Sequence, residues 1–269
     1  MKNIKLIALC LLAFIVTAAC SGTSLTPFQD ALKQPNYPSV YVPKNIQNAK
    51  PSAHFSDEKA IVVSVMSGDR YLVGNDQFEL PDLRSRIEKL LEKNPSEKQL
   101  IYLNADVYTD YDNVVKVLDT IRYINPENVG LLVEPAAAAA SGADKKMQVL
   151  KVKLSAEPQI EDTEDLLDKR LVINLQKDGK IKLGRFNNYA FKPSTPEVAE
   201  TEVGGKLAPM FKENEEKKIN LRGTGEIDRT VIVKASRANG YSEVVRLIDA
   251  AFGGGALEVY LMLDDLDSK

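Results

Sequence analysis

The chain repeats itself, and the repeat restricts the fold more than any other feature of the sequence. Ile61-Val62-Val63-Ser64-Val65, a turn at Ser67-Gly68-Asp69, and Tyr71-Leu72-Val73-Gly74 recur as Leu171-Val172-Ile173-Asn174-Leu175, Lys177-Asp178-Gly179, and Ile181-Lys182-Leu183-Gly184. The offset is a constant 110 residues. A β-branched run, a turn containing Asp and Gly, and a second short run predict a hairpin in each copy. A short alternating segment precedes each hairpin at the same offset, Val40-Tyr41-Val42 and Leu150-Lys151-Val152, and each is expected to add a strand.

Helical spacing follows each hairpin. Leu83, Ile87, Leu90 and Leu91 share one face of a helix, with Pro81 in its first turn and Asn94-Pro95 beyond its end. Val203, Leu207, Met210 and Phe211 repeat that spacing at an offset of 120, so residues have been inserted after Gly184. Gly204, Gly205 and Pro209 predict a second helix that is kinked or partly unwound. The offset grows to 130 at the next strands, Leu100–Leu103 and Thr230–Val233, after a further insertion around Asn220 to Glu226. It then holds for Ala105 and Ala235, Tyr111 and Tyr241, Val114-Val115 and Val244-Val245, and Asp119 and Asp249. It also holds for the closing strands Val129–Val133 and Val259–Leu263. Each copy reads strand, hairpin, helix, strand, helix, strand. The expected fold class is α+β: two tandem modules, each a mixed β-sheet with two helices on one face. The boundaries are 38–135 and 148–265, separated by a linker at 136–147 that holds Ala136–Ala140.

The first twenty residues read as an export signal. Lys2 and Lys5 form a positive start, Ile4 to Ala19 is almost wholly apolar, and Val16-Thr17-Ala18-Ala19 leads into Cys20. The uncharged run after Lys5 is short of the roughly 20 residues that span a bilayer. Small residues directly before a cysteine look like a lipoprotein processing site, so Cys20 is the expected lipidation site and 1–20 the lipoprotein signal peptide. Simple cleavage beside an incidental cysteine, or an uncleaved anchor, are the alternatives. Residues 21–37, broken by Pro27 and Pro35, read as a tether. The expected location is the periplasmic side of the envelope. Ser21 after the cysteine favours the outer membrane under enterobacterial-type sorting. Cys10 and Cys20 are the only cysteines, which excludes a disulfide framework and a Cys-ligated metal site in the rest of the chain.

The remaining composition argues against enzymes and nucleic-acid binders. Net charge is -3 with no basic block, unlike a phosphate-binding surface. His54 is the sole histidine and sits in a Pro/Ser-rich connector, so no triad assembles around it. Val203-Gly204-Gly205 and Gly253-Gly254-Gly255 lack the Lys-Ser/Thr of a phosphate loop, and the second reads as a helix stop. No catalytic residue, metal or cofactor is expected. Four residues stand as candidates for partner binding. Tyr111 and Tyr241 open the second helix of each module, as packing residues or as partner-facing rings. Asp119 and Asp249 sit mid-helix, on a solvated face or in a local ion pair such as Asp119 with Arg122. Open sheet edges offer a further surface, since their unpaired N–H and C=O groups can take an added strand.

Val73-Gly74-Asn75-Asp76, Asp110-Tyr111, Lys116-Val117-x-Asp119-Thr120 and Val129-Gly130-Leu131, in that order and spacing, resemble the periplasmic domain of the ExbD/TolR family. The second copy keeps Gly184, Tyr241, Val244, Asp249 and Val259. The resemblance implies a component of an energy-transducing envelope complex. Its implied partners are ExbB/TolQ-type or TonB/TolA-type envelope proteins or peptidoglycan, with a homodimer or an intramolecular pseudo-dimer. Members of that family carry a transmembrane Asp tied to proton coupling. Here Ile4 to Ala19 has no acidic residue, and Thr26-Pro27-Phe28-x-Asp30 echoes the family's sequence around that Asp without an apolar span to follow it. The expected function is therefore a non-enzymatic binding or scaffold lipoprotein accompanying an ExbD/TolR-type system, one that does not itself move protons. The alternatives are a structural peptidoglycan-binding lipoprotein independent of a motor, and a motor subunit with an uncleaved N-terminal anchor.

Overall fold

The computed structural model describes residues 40–52, 60–93, 100–125, 127, 129–136, 147–154, 170–185, 187–220 and 225–263. The expected signal peptide and tether, Cys20, Asp30, His54, the Asn94-Pro95 stop, nearly all of the linker and the acidic C-terminus lie outside these residues.

Strand β1 (Ile61–Met66) is β-branched and buried on both faces, the pattern of an interior strand. It turns back into β2 (Arg70–Val73), which pairs antiparallel with β3 (Asp76–Phe78). A short 3-10 turn leads into α1 (Leu83–Lys93), which buries Leu83 and Ile87. Then follow β4 (Ile101–Ala105), α2 (Tyr111–Arg122) and β5 (Val129–Val133). β4 runs parallel to β1 and to β5, as strands joined by helical crossovers must. After β6 (Gln148–Leu154) the order recurs: β7 (Leu171–Leu175), β8 (Ile181–Gly184), β9 (Tyr189–Phe191), α3 (Pro196–Glu216), β10 (Thr230–Ala235), α4 (Tyr241–Gly253) and β11 (Glu258–Met262).

All eleven strands form one mixed sheet in the order β3-β2-β1-β4-β5-β6-β11-β10-β7-β8-β9. This differs from the expectation of a separate sheet in each module. β6 makes the difference: it pairs antiparallel with β5 and parallel with β11, satisfying the inner edges of both halves at once. The two five-strand groups therefore run in opposite directions across the seam. Gly130 in β5 permits the close approach there, because a side chain on it would meet Val149 Cγ1 at 2.7 Å. Lys153 on β6 ties the seam further, donating to Glu258 of β11 at 2.7 Å and pairing with Glu127 at 3.2 Å.

The expected leading strand at Val40-Tyr41-Val42 is not a strand. Residues 40–50 form a strap whose backbone is satisfied piecemeal. Tyr41 O accepts Val107 N–H, Pro43 O accepts Glu134 N–H, and Lys50 exchanges two hydrogen bonds with Val149 of β6. β6 already occupies the edge of β5, so no ladder position remains beside that strand.

One core lies between the sheet and all four helices; Ile46, Val63, Leu103, Leu118, Ile173, Leu207, Val233 and Ile248 are each fully buried within it. Burying each such side chain contributes about 1.5–3 kcal/mol. The opposite face carries two smaller clusters, Val42, Val62, Tyr102, Leu132 and Val149 in one half and Val172, Ile232 and Met262 in the other. The helix expected to kink at Gly204, Gly205 and Pro209 is a continuous helix from Pro196 to Glu216. Tertiary packing overrides its poor propensity: Val203, Leu207 and Phe211 are buried, and Gly204 lies against Gly254 at the end of α4. A side chain at Gly254 would come within 2.9 Å of Leu207 Cβ. The helix stop expected at Gly253–Gly255 is where α4 ends.

Candidate partner-binding site

The four candidate residues fall into two pairs with different surroundings. Tyr111 and Tyr241 open α2 and α4, where the two halves meet. Asp110 and Gly240 form an antiparallel bridge, and Tyr111 N–H donates to Asn239 O at 3.3 Å. Each tyrosine is 1% exposed, and neither hydroxyl has a hydrogen-bond partner among the described residues. Burial pushes both phenols above their usual range. These rings are packed inside the chain and are not presented to solvent.

Asp119 and Asp249 hold equivalent positions on α2 and α4 and do different things. Asp119 pairs with Arg122 at 3.1 Å and with Arg237, from the loop after β10, at 3.5 Å. Arg237 also reaches Asp112 at 3.1 Å, so one guanidinium ties the second half to α2. Asp112 in turn takes Lys116 at 2.8 Å. Its carboxyl is held below the usual range by the Lys116 hydrogen bond, against the effect of burial, with help from Arg237. Asp249 is 2% exposed and faces the strap. Its carboxylate accepts the backbone N–H of Gln47 at 2.9 Å and of Asn48 at 2.7 Å, and Asn48 Nδ2 at 3.1 Å. Gln47, Asn48 and Arg237 carry no signal in the sequence, because each acts on a residue far away along the chain.

The outer ends of the sheet are the remaining candidate surfaces, and they are not alike. In the first half Asp76 on β3 pairs with Arg86 on α1, and Arg84 with Glu88. In the second half the strand register puts Tyr189 where Asp76 stands, and the helical repeat puts Lys206 where Arg86 stands. Lys206 Nζ lies 5.0 Å from the centre of the Tyr189 ring and 5.8 Å from that of Phe191. Between β9 and α3 is an open groove of about 530 Å³, with Tyr189, Phe191, Thr201, Glu202 and Lys206 along it. Tyr189 is 47% exposed, and Gly205 leaves the floor open, with nothing within 4 Å of where its side chain would begin. The offset of 120 between Arg86 and Lys206 is readable in the sequence. Tyr189 is not, because the insertion after Gly184 breaks the register there.

Among the described residues no cluster of His, Cys, Asp and Glu is placed to hold a metal ion, and no helix is long and apolar enough to cross a membrane. No individual curated protein matches the chain. Residues 6–136, just under half of the chain, match the family described as Biopolymer transport protein ExbD/TolR. Members of that family are non-enzymatic transport components. Over residues 6–136, then, the chain is similar to the ExbD/TolR family of biopolymer transport proteins.

Proposed function

We propose that the protein is a periplasmic binding or scaffold lipoprotein of an ExbD/TolR-type system, built from two tandem copies of the family's module and anchored through Cys20. The observation that carries this reading is the family match over residues 6–136. The recurrence of the element order on both sides of β6 supports the tandem copy, and the small residues before Cys20 support the anchor. In this reading the second copy takes the place of a second chain, with the bridge at Asp110 and Gly240 and the Arg237 contacts joining the copies. Partners of the ExbB/TolQ or TonB/TolA type engage its surface, and the four candidate residues maintain the frame that presents that surface.

The test is crosslinking in isolated envelopes followed by sedimentation. The protein is expected in the membrane pellet, crosslinked to motor proteins. Recovery in the cytosolic fraction alone overturns the proposal. A second reading, a motor subunit with an uncleaved anchor, is favoured by the start of the match at residue 6, inside the apolar segment. Palmitate labelling that disappears in Cys20→Ala supports the lipoprotein; labelling of neither protein supports the anchor.

A further inference from the structure

We infer that the β9 end of the sheet is a docking site for an extended segment of another protein in which acidic and apolar residues alternate. The inference rests on the reading that the chain works by binding partners, and it names the place and the chemistry.

The first observation is charge. The chain as a whole is acidic, with a net charge of -3. Yet Lys177, Lys180, Lys182, Lys192 and Lys206 gather on and beside β8, β9 and α3, and none makes an ion pair among the described residues. At the opposite end of the sheet Arg84 and Arg86 are both neutralised. The second observation is the edge. β9 is the last strand in the order, so one side of its backbone has no neighbouring strand among the described residues. The third is the groove, where Tyr189 and Phe191 give an apolar wall and Lys206 a cation above it.

Together these define an alternating occupant. Ile181 and Leu183 of β8 point into the core, so Lys182 and its cross-strand partner Ala190 lie on the helix-free face. Tyr189, Phe191 and Lys206 lie on the helix side. A strand added to β9 sends successive side chains to opposite faces. Apolar residues then meet the Tyr189 and Phe191 rings, and carboxylates meet Lys182 across the small Ala190 on the far face.

The experiment is fluorescence anisotropy on the full chain with a labelled octapeptide of alternating valine and glutamate. The key variant is Gly205→Leu, which fills the groove at an open helix position where leucine is a better helix former than glycine. It is expected to melt no lower than the parent and to bind the peptide about tenfold more weakly or worse. Lys206→Glu and Lys182→Glu are expected to weaken binding, and a valine–lysine octapeptide is expected not to bind. Equal binding by Gly205→Leu and the parent, or by the two peptides, overturns the inference. So does Lys206-dependent retention on phosphatidylglycerol vesicles or isolated sacculi without peptide binding. Peptide binding blocked by Gly205→Leu in a protein that never crosslinks to motor components upholds the groove and rejects the proposed function. Crosslinking that survives in Gly205→Leu, with no peptide binding by the parent, does the reverse.

Discussion

The two halves of the sheet, residues 61–133 and 171–262, agree in the middle and part at their outer ends. Both run hairpin, edge strand, helix, strand, helix, strand, and both bury a tyrosine at the start of the last helix. At the outer ends the same backbone positions carry opposite chemistry. Asp76 and Glu79 on one side correspond to Tyr189 and Lys192 on the other, and Leu72 corresponds to Lys182. Buried positions are held by packing, where a change of one methylene is felt, while edge positions are free to acquire charge and recognition. The halves are alike where they are buried and differ where they are exposed.

The largest expected effect tests the shared middle. Tyr111→Ala and Tyr241→Ala should each cost about 3–5 kcal/mol, as for other buried aromatic truncations. Tyr111→Phe and Tyr241→Phe should change stability by less than about 0.5 kcal/mol, since neither hydroxyl is hydrogen-bonded among the described residues. Urea unfolding measures both; a large loss in either Phe variant would show a bond to the hydroxyl. Next comes the pair that differs. Asp249→Ala should cost about 3 kcal/mol, because two strap N–H groups lose a charged acceptor. Asp119→Ala, on a partly exposed ion pair, should cost about 1 kcal/mol. Hydrogen exchange at Gln47 and Asn48 should quicken in the first variant alone.

A graft sharpens the contrast at the edges. Leu72→Lys and Asp76→Tyr with Glu79→Lys and Ser85→Gly should leave stability within about 1 kcal/mol and give the first half a second binding event for the valine–glutamate peptide. An unchanged stoichiometry would mean that the groove depends on more than these positions. The smallest effect is on pH. The Asp112 carboxyl binds its proton less readily when folded than when unfolded. Its contribution is therefore present above the ordinary carboxylate pKa and is lost as pH falls through the lowered value. The stability difference between the parent and Asp112→Asn should shrink in strong acid, and a constant difference would assign no linkage to this group.

Much of this was legible in the sequence, for physical reasons. The hairpins, the helix faces at Leu83 and Val203 and the closing strands follow from periodicities of two and 3.6, which local sequence imposes directly. The stop at Gly253–Gly255 is local chemistry as well. The continuous helix through Gly204 and Pro209 was not legible, because its stability comes from α4 and not from its own residues. The candidate tyrosines and aspartates were found by their repetition, but repetition cannot distinguish a residue kept for packing from one kept for contact.

The sequence by itself determined the hairpins, the helices, the closing strands and their order, and the family resemblance of the first half, since these depend on neighbours within a few residues. Only the tertiary structure decided that the two halves share one sheet through β6, that Asp249 holds the strap, and that Tyr189 and Lys206 share a groove. Those outcomes depend on which backbone edges and side chains meet between segments far apart along the chain, and local pattern carries no information about such meetings.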